Sequence, residues 1–159
     1  MLAGDMEVAL GLETVHPEVL PRLNKQMTLD DFAGAVRSLR ADGIAVRAFV
    51  LVRPPFLTDE EGLEWACRSL DYAFSLGVAC CSLIPTRAGN GAMEELARQG
   101  LFAPPSLETS ERAFEYGLGL RAGRVLLDLW NLEHDPTCSR ESLTRLRRMN
   151  LSQRVESRS

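Results

Sequence analysis

With 159 residues, the chain is long enough to bury one hydrophobic core but shorter than the roughly 200 residues of a complete α/β barrel. Its hydrophobic fraction of 45% and charged fraction of 25% are ordinary for a globular protein, and a net charge of −4 gives no basis for charge-driven binding to phosphate backbones. Neither an apolar run of the ~18 residues that suggest a membrane span nor a signal peptide is present. We therefore expect a cytoplasmic protein with no membrane association and with reduced cysteines.

Short apolar runs alternate along the chain with segments of helical periodicity. Thr28 can cap a helix that ends just before Gly43, and Thr58 and Gly77 bound a second helix in the same way. In chain order, the predicted elements are a strand at 7–12, helices at 17–25 and 29–42, a strand at 44–52, a helix at 59–76, a strand at 78–85, helices at 92–99 and 107–120, a strand at 124–130 and a helix at 140–149.

This alternation predicts an α/β fold built from successive βα units around a parallel sheet. Parallel sheets of this kind bind ligands at the carboxyl ends of their strands, where Glu13 follows the first strand. A carboxylate at that position can accept two hydrogen bonds from the adjacent hydroxyls of a ribose. Alternatively, Glu13 is a charge that complements the N-terminus of the next helix.

Several motifs, in this order and spacing, resemble the second half of the core domain of radical S-adenosylmethionine (SAM) enzymes. The resemblance is greatest to the branch that includes the radical enzyme of archaeosine biosynthesis and its bacterial relatives. It covers residues 6 to about 154 and implies a partial (βα) barrel with a helical C-terminal tail. The matching segments are the strand Glu7 to Thr14, the Asn24-Lys25 turn, the Arg53 to Leu57 turn, the stretch "SLIPTRAGNGAMEEL" from Ser82, and Met149 to Gln153.

The resemblance assigns cofactor-binding roles to residues of two strands. Gly11, Glu13 and Thr14 match the family's G-x-E-S/T motif, in which the carboxylate holds the ribose hydroxyls of SAM. Ile84 and Pro85 match the position whose backbone lies against the adenine. Phe49 occupies a place where relatives often have a polar cofactor contact, and an aromatic side chain there can only pack.

The family's catalytic cluster has no candidate ligands in this chain. A 4Fe-4S cluster is usually held by a C-x-x-x-C-x-x-C motif and reduces SAM to a 5′-deoxyadenosyl radical, which abstracts a hydrogen. The cysteines here have no such spacing, and we expect them to be small apolar residues; they are Cys67, Cys80, Cys81 and Cys138. His134 and Cys138 are four residues apart, but Asp135-Pro136 interrupts the helix that a shared metal site would need. We therefore predict no metal site in the chain itself.

The resemblance then implies a partner for this chain: a missing N-terminal half or a separate chain that supplies the 4Fe-4S cluster. The first strand would otherwise present an unpaired edge. A truncated product, a split subunit and a gene start placed too late are all consistent with this pattern. We expect a partial radical SAM core at 1–136 and a basic helical tail at 137–159.

Two functions from different classes follow. The first is the C-terminal part of a radical SAM enzyme that binds the ribose and adenine of SAM and acts on a tRNA-related substrate. The second is a cluster-less, non-catalytic partner or binding module. No catalytic residue is assigned, although three polar residues near the end of the last strand could face substrate: Asp128, Asn131 and Glu133. We expect Glu108, Glu111 and the tail arginines, Arg140, Arg145, Arg147 and Arg148, to lie on solvated helix faces.

Overall fold

The computed structural model of the protein describes residues 5–23 and 26–158. Within these residues, four strands and six α-helices alternate largely as the sequence predicts. Their bounds are β1 Glu7–Glu13, α1 Val19–Arg22, α2 Leu29–Ala41, β2 Ala45–Val52, α3 Asp59–Ser75, β3 Cys80–Pro85, α4 Ala92–Arg98, α5 Leu107–Leu120, β4 Arg124–Leu127, a 3₁₀ turn Leu132–His134 and α6 Arg140–Ser152. Among the described residues, none of these helices is long and apolar enough to cross a membrane.

All four strands run parallel in a single sheet of order β1-β2-β3-β4, which confirms the predicted α/β fold. Such a sheet is consistent with part of a barrel or with an open sheet. Helices α2, α3 and α5 cover one face and enclose the core. The side chains on that face alternate along each strand, as Val46, Ala48, Val50 and Val52 show in β2. The opposite face carries Phe49, Ser82 and Ile84 and borders an open cleft.

Capping explains where the two long central helices begin. The side chains of Thr28 and Asp31 form a reciprocal capping box at the start of α2, and Thr58 and Glu61 do the same for α3. Both threonine caps were predicted from the sequence. Gly43, which follows α2 with φ 74°, confirms the predicted stop signal because glycine adopts this conformation without steric cost.

Strand β3 begins at Cys80, two residues later than predicted, and two other elements are shorter by three residues or more. Helix α1 ends at Arg22 instead of reaching Lys25, which lies outside the described residues with Asn24. Pro21 within it has no N–H to donate to the preceding turn. Strand β4 ends at Leu127 rather than at residue 130, because the Asp128 Oδ1 atom accepts a hydrogen bond from the Trp130 N–H and turns the chain.

Helix α6 packs against the outer side of β4 and belongs to the same core, in which Leu146 and Met149 are fully buried. Its last turn pairs with the edge of the sheet. The side-chain amide of Asn150 accepts from the Leu127 N–H at 2.9 Å and donates to the Leu127 carbonyl at 3.0 Å. The amide of Gln153 makes the equivalent two bonds with Val125, both at 2.8 Å. We call Asn150 and Gln153 the amide pair, since they satisfy the strand edge as a neighbouring strand would.

The expectation that Glu111 and Arg145 are solvated is wrong. Both side chains are buried where α5 meets α6, and the Arg145 Nη2 atom donates to Glu111 Oε1 at 2.9 Å. Arg145 also donates to the carbonyl of Glu156 at 2.7 Å, which fixes the segment after α6. Two charged residues can be buried here because each neutralises and hydrogen-bonds the other. Glu108 and the remaining tail arginines are exposed, as predicted: Arg140, Arg147 and Arg148.

Candidate cofactor-binding site

The carboxyl ends of the four strands form one edge of the sheet, which we call the carboxyl edge. Glu13 is the last residue of β1, and a bulge between Gly11 and Glu13 brings it opposite Val50 of β2. Its backbone has φ 68°, and Arg53, directly after β2, has φ 54°. Left-handed conformations of non-glycine residues are uncommon and cluster at functional sites. The ends of β1 and β2 thus share this conformation with four other described residues, of which Arg121 and Gln153 end helices.

Hydrogen bonds of the turn that follows fix the position of Glu13. The Thr14 side chain is buried, its N–H donates to the Leu12 carbonyl at 2.9 Å, and its hydroxyl accepts from the His16 N–H at 3.1 Å. The N–H of Val15 donates to the Ser69 hydroxyl of α3 at 3.0 Å. Thr14 thus acts as a turn residue that fixes the backbone directly after Glu13 at the carboxyl edge.

His16 is a site residue that sequence reasoning missed. Its Nδ1 atom accepts hydrogen bonds from the N–H groups of Glu18 and Val19 at 3.1 and 3.2 Å, so it caps α1 as a neutral imidazole would. The imidazole ring lies 4.4 Å, centroid to centroid, from the indole of Trp65. In the sequence, the only indication of this capping role was the position of the histidine directly before Pro17, at the start of a predicted helix.

The end of β2 is tied to its neighbours through Arg53. The Arg53 side chain donates to the carbonyls of Leu57 and Pro104 at 3.2 and 3.0 Å and lies 3.7 Å from the Asp59 carboxylate. The hydroxyl of Thr86 in turn donates to the carbonyls of Val52 and Arg53. These contacts hold the proline turn after β2 rigidly beside the end of β3.

Ile84 and Pro85 lie at the end of β3 but face different clefts. Ile84 borders a cleft of about 400 Å³ on the open face of the sheet, together with Phe49, Ser82 and Leu126. Pro85 borders a second cleft of about 250 Å³, beyond the ends of β3 and β4. Only Ile84 therefore shares the open face with Phe49, where both side chains provide an apolar packing surface for a planar ring.

Gly11 and Glu13 of β1, Thr14 directly after that strand, and Ile84 and Pro85 of β3 all lie at the carboxyl edge, with β2 between the two groups. Two strand spacings separate the groups by roughly 10 Å, on the scale of one nucleoside. The two groups place an acidic residue at one end of this span and an apolar face at the other.

The three polar residues after β4 have different surroundings. Asp128 forms an ion pair with Arg87, whose Nη2 atom lies 3.1 Å from Asp128 Oδ2. Asn131 adopts φ 68° and borders the second cleft. Glu133 is exposed, 3.9 Å from the Arg147 guanidinium. Asp128 and Asn131 thus lie at the carboxyl edge, whereas Glu133 points away toward α6.

The cysteines do not fit a cluster. Cys67 lies on α3, Cys80 and Cys81 are buried in β3, and Cys138 precedes α6. Burial, with a contribution from Asp71, raises the pKa of the Cys67 thiol to about 11, and burial raises that of Cys81 to about 12. Iron is held by thiolates, which these environments disfavour. Across residues 5–23 and 26–158, no three histidine, cysteine or acidic side chains group as metal ligands would.

No family model matches the chain. Its sequence is 29% identical over 106 residues to a protein of Methanosarcina acetivorans named archaeosine synthase subunit beta; the match covers 64% of this chain and 30% of that protein. A second protein of that name, from Thermococcus kodakarensis, is 37% identical over 65 residues, covering 40% and 20% of the two chains. An uncharacterized protein of Methanocaldococcus jannaschii is 25% identical over 105 residues, covering 65% and 29%. The chain thus matches less than a third of the length of these relatives.

Proposed function

We propose that this chain binds the ribose and adenine of SAM as part of a radical SAM enzyme of the archaeosine synthase type, which modifies a tRNA-related substrate. The observation that carries the proposal is the position of Glu13, an acidic residue that ends β1 at the carboxyl edge. Its backbone follows a bulge and has a left-handed conformation. Two relatives named archaeosine synthase subunit beta support the reaction class. The word "subunit" in their names supports a partner chain.

Each candidate residue has a distinct task in this proposal. Glu13 accepts hydrogen bonds from the two ribose hydroxyls, and its ionised form is an acceptor only, which matches two donors. Thr14 and His16 do not need to touch the cofactor, because their backbone and side-chain bonds position Glu13. Ile84 and Phe49 provide the apolar face for the adenine.

The 4Fe-4S cluster does not fit this chain, so we derive no step through it. The proposal places the cluster ligands on another polypeptide segment. The same lack of ligands favours the second candidate, a partner module that does not carry out the chemistry itself. The two candidates differ in one property that can be measured on the chain alone: only the first requires Glu13 to bind SAM.

The test is isothermal titration of the chain with SAM, comparing the wild type with Glu13→Gln. The amide retains the shape of the side chain but loses its charge and one acceptor. We therefore expect the affinity for SAM to be at least about 10-fold lower. Glu18→Gln, an exposed carboxylate on the same loop, is the matched control and should bind SAM as the wild type does. Equal affinity in all three proteins would contradict the role of Glu13 and favour the partner module.

A further inference from the structure

We propose that Trp130 and Arg87 form a stacking site for one unpaired nucleobase of an RNA strand. The inference rests on the proposed function, because it concerns the macromolecular substrate of the same carboxyl edge. Trp130 is a large aromatic residue with 68% of its surface exposed, just after β4. Tryptophan side chains are usually largely buried, so such a high exposure of an indole is unusual.

Two contacts involve Trp130, one through its backbone and one through its ring. Its backbone N–H donates to Asp128 Oδ1 at 2.9 Å, which sets the direction of the turn. The guanidinium carbon of Arg87 lies 4.9 Å from the ring centroid, so a cation backs one face of the ring. The high exposure of the residue leaves remaining ring surface available to a planar ligand.

Asp128 and Arg87, the two residues that contact Trp130, lie just beyond the ends of β4 and β3. The N–H of Asp128 donates to the Leu83 carbonyl of β3 at 2.9 Å. Thr86, directly before Arg87, is bonded to the end of β2 through its N–H and its hydroxyl. The stacking surface is therefore pre-organised, and a ligand would lose little free energy in ordering it.

The adjacent cleft limits the size of the ligand. Its volume of about 250 Å³ lies below the roughly 300 Å³ at which pockets for drug-sized ligands begin. It therefore suits a single ring system rather than a complete nucleoside cofactor. Its walls combine prolines with groups that can hydrogen-bond the edge of a heterocycle: Thr86, Ser110, Asn131 and His134.

The charge distribution indicates recognition of a base rather than of phosphates. Asp128 neutralises Arg87 in a contact of 3.1 Å, so the site adds little net charge, and the whole chain carries −4. Sequence-specific RNA recognition commonly uses unpaired bases that stack on aromatic or arginine side chains. A single stacked base contributes about 1–3 kcal/mol, too little for a free base to bind tightly, so we infer a base that belongs to a polymer.

The test follows tryptophan fluorescence in a Trp65→Phe background, where Trp130 is the remaining indole of the two. Titration with a short, unstructured, purine-rich RNA should quench this fluorescence saturably. The affinity for RNA, measured in the otherwise wild-type chain, should fall about 5- to 150-fold in Trp130→Ala and less in Trp130→Phe, which keeps an aromatic face. Tyr116→Ala, which removes an exposed aromatic residue of α5, is the matched control and should leave binding unchanged.

Several results would overturn the stacking site: no quenching by RNA, equal losses in Trp130→Ala and Tyr116→Ala, or quenching by adenosine monophosphate at the same concentration as by RNA. Displacement of the RNA from Trp130 by SAM would assign the indole to the cofactor instead. The slope of log K against log salt should be no steeper than about −1, because few phosphates are contacted. The RNA titration is repeated in Glu13→Gln: unchanged quenching together with lost SAM binding separates this site from the cofactor role.

Discussion

The carboxylate of Glu111 and the guanidinium of Arg145 meet at 2.9 Å between α5 and α6, with side-chain exposures of 8% and 5%. Arg145 also contacts Glu115 and the carbonyl of Glu156. One residue therefore connects α5, α6 and the segment after α6. The pair contributes to the position of α6, whose last turn carries the amide pair at β4.

Arg145→Met should lower the free energy of unfolding by about 3 kcal/mol, because it leaves the Glu111 carboxylate buried without its main partner. Urea denaturation measures the change. Arg147→Met on the same helix removes an exposed arginine and should change the stability by less than about 0.5 kcal/mol. Similar effects of the two substitutions would show that the buried pair has no special role.

Asn150→Asp tests the amide pair. The new carboxylate can still accept from the Leu127 N–H, but it places an oxygen opposite the Leu127 carbonyl, where the amide donates now. We expect the free energy of unfolding, measured by urea denaturation, to fall by about 2 kcal/mol. Asn90→Asp is the control, because its side chain acts as an acceptor from the Met93 N–H. A stability of Asn150→Asp equal to that of the wild type would contradict the pairing.

Asp59 should contribute to the pH dependence of stability. Burial alone would raise the pKa of its carboxyl, but hydrogen bonds from Ser106 and Thr109 and the charge of Arg53 outweigh burial and lower it. Since the folded pKa lies below the unfolded value, the unfolded chain binds the proton first on acidification. The stabilisation is therefore present above about pH 4 and is lost as the pH falls through the folded pKa.

The measurement for Asp59 is the free energy of unfolding at a series of pH values from about 5 to 2, for which the reference carboxyl pKa near 3.9 sets the range. Asp59→Asn should flatten the decline, whereas Asp42→Asn, an exposed residue after α2, should leave it close to that of the wild type. A decline in Asp59→Asn as steep as in the wild type would exclude the contribution.

Gly62 and Gly34 should respond in opposite ways to alanine. A Cβ atom at Gly62 of α3 would lie 2.6 Å from the Arg53 Cβ atom, so the turn after β2 would have to move. We expect a loss of about 1–3 kcal/mol, as for overpacking. Gly34 of α2 has open space around its Cβ position, and alanine there should add about 0.5–1 kcal/mol. The measurement is the change in the thermal unfolding midpoint of each variant. An unchanged midpoint for Gly62→Ala would show that the close contact with the Arg53 Cβ atom is tolerated.

Local rules were sufficient for the elements whose signals lie within a few residues. The capping threonines Thr28 and Thr58 and the stop at Gly43 were predicted because cap and helix are adjacent in sequence. The parallel order of the sheet followed from the alternation of strands and helices, and the position of Glu13 followed from that order.

Features that depend on distant residues were not predictable in this way. Glu111 and Arg145 are 34 residues apart, and each alone resembles a solvated helix residue. The Arg87, Asp128 and Trp130 contacts join the ends of two strands, a relationship that exists only once the sheet has formed. The Met149 to Gln153 segment was recognised as a motif, but its pairing with β4 needs the packed position of α6.

The amide pair determines at which side of the sheet a further strand could pair. At β4 the outward backbone groups of Val125 and Leu127 are already occupied, so an incoming polypeptide would have to displace two side chains before it could add there. At the other end of the order lies β1, which among the described strands pairs with β2 alone. Any further strand is therefore expected to extend the sheet beside β1, next to Glu13. A strand added there would lie along the β1 side of the sheet, where Glu13 is at the carboxyl end.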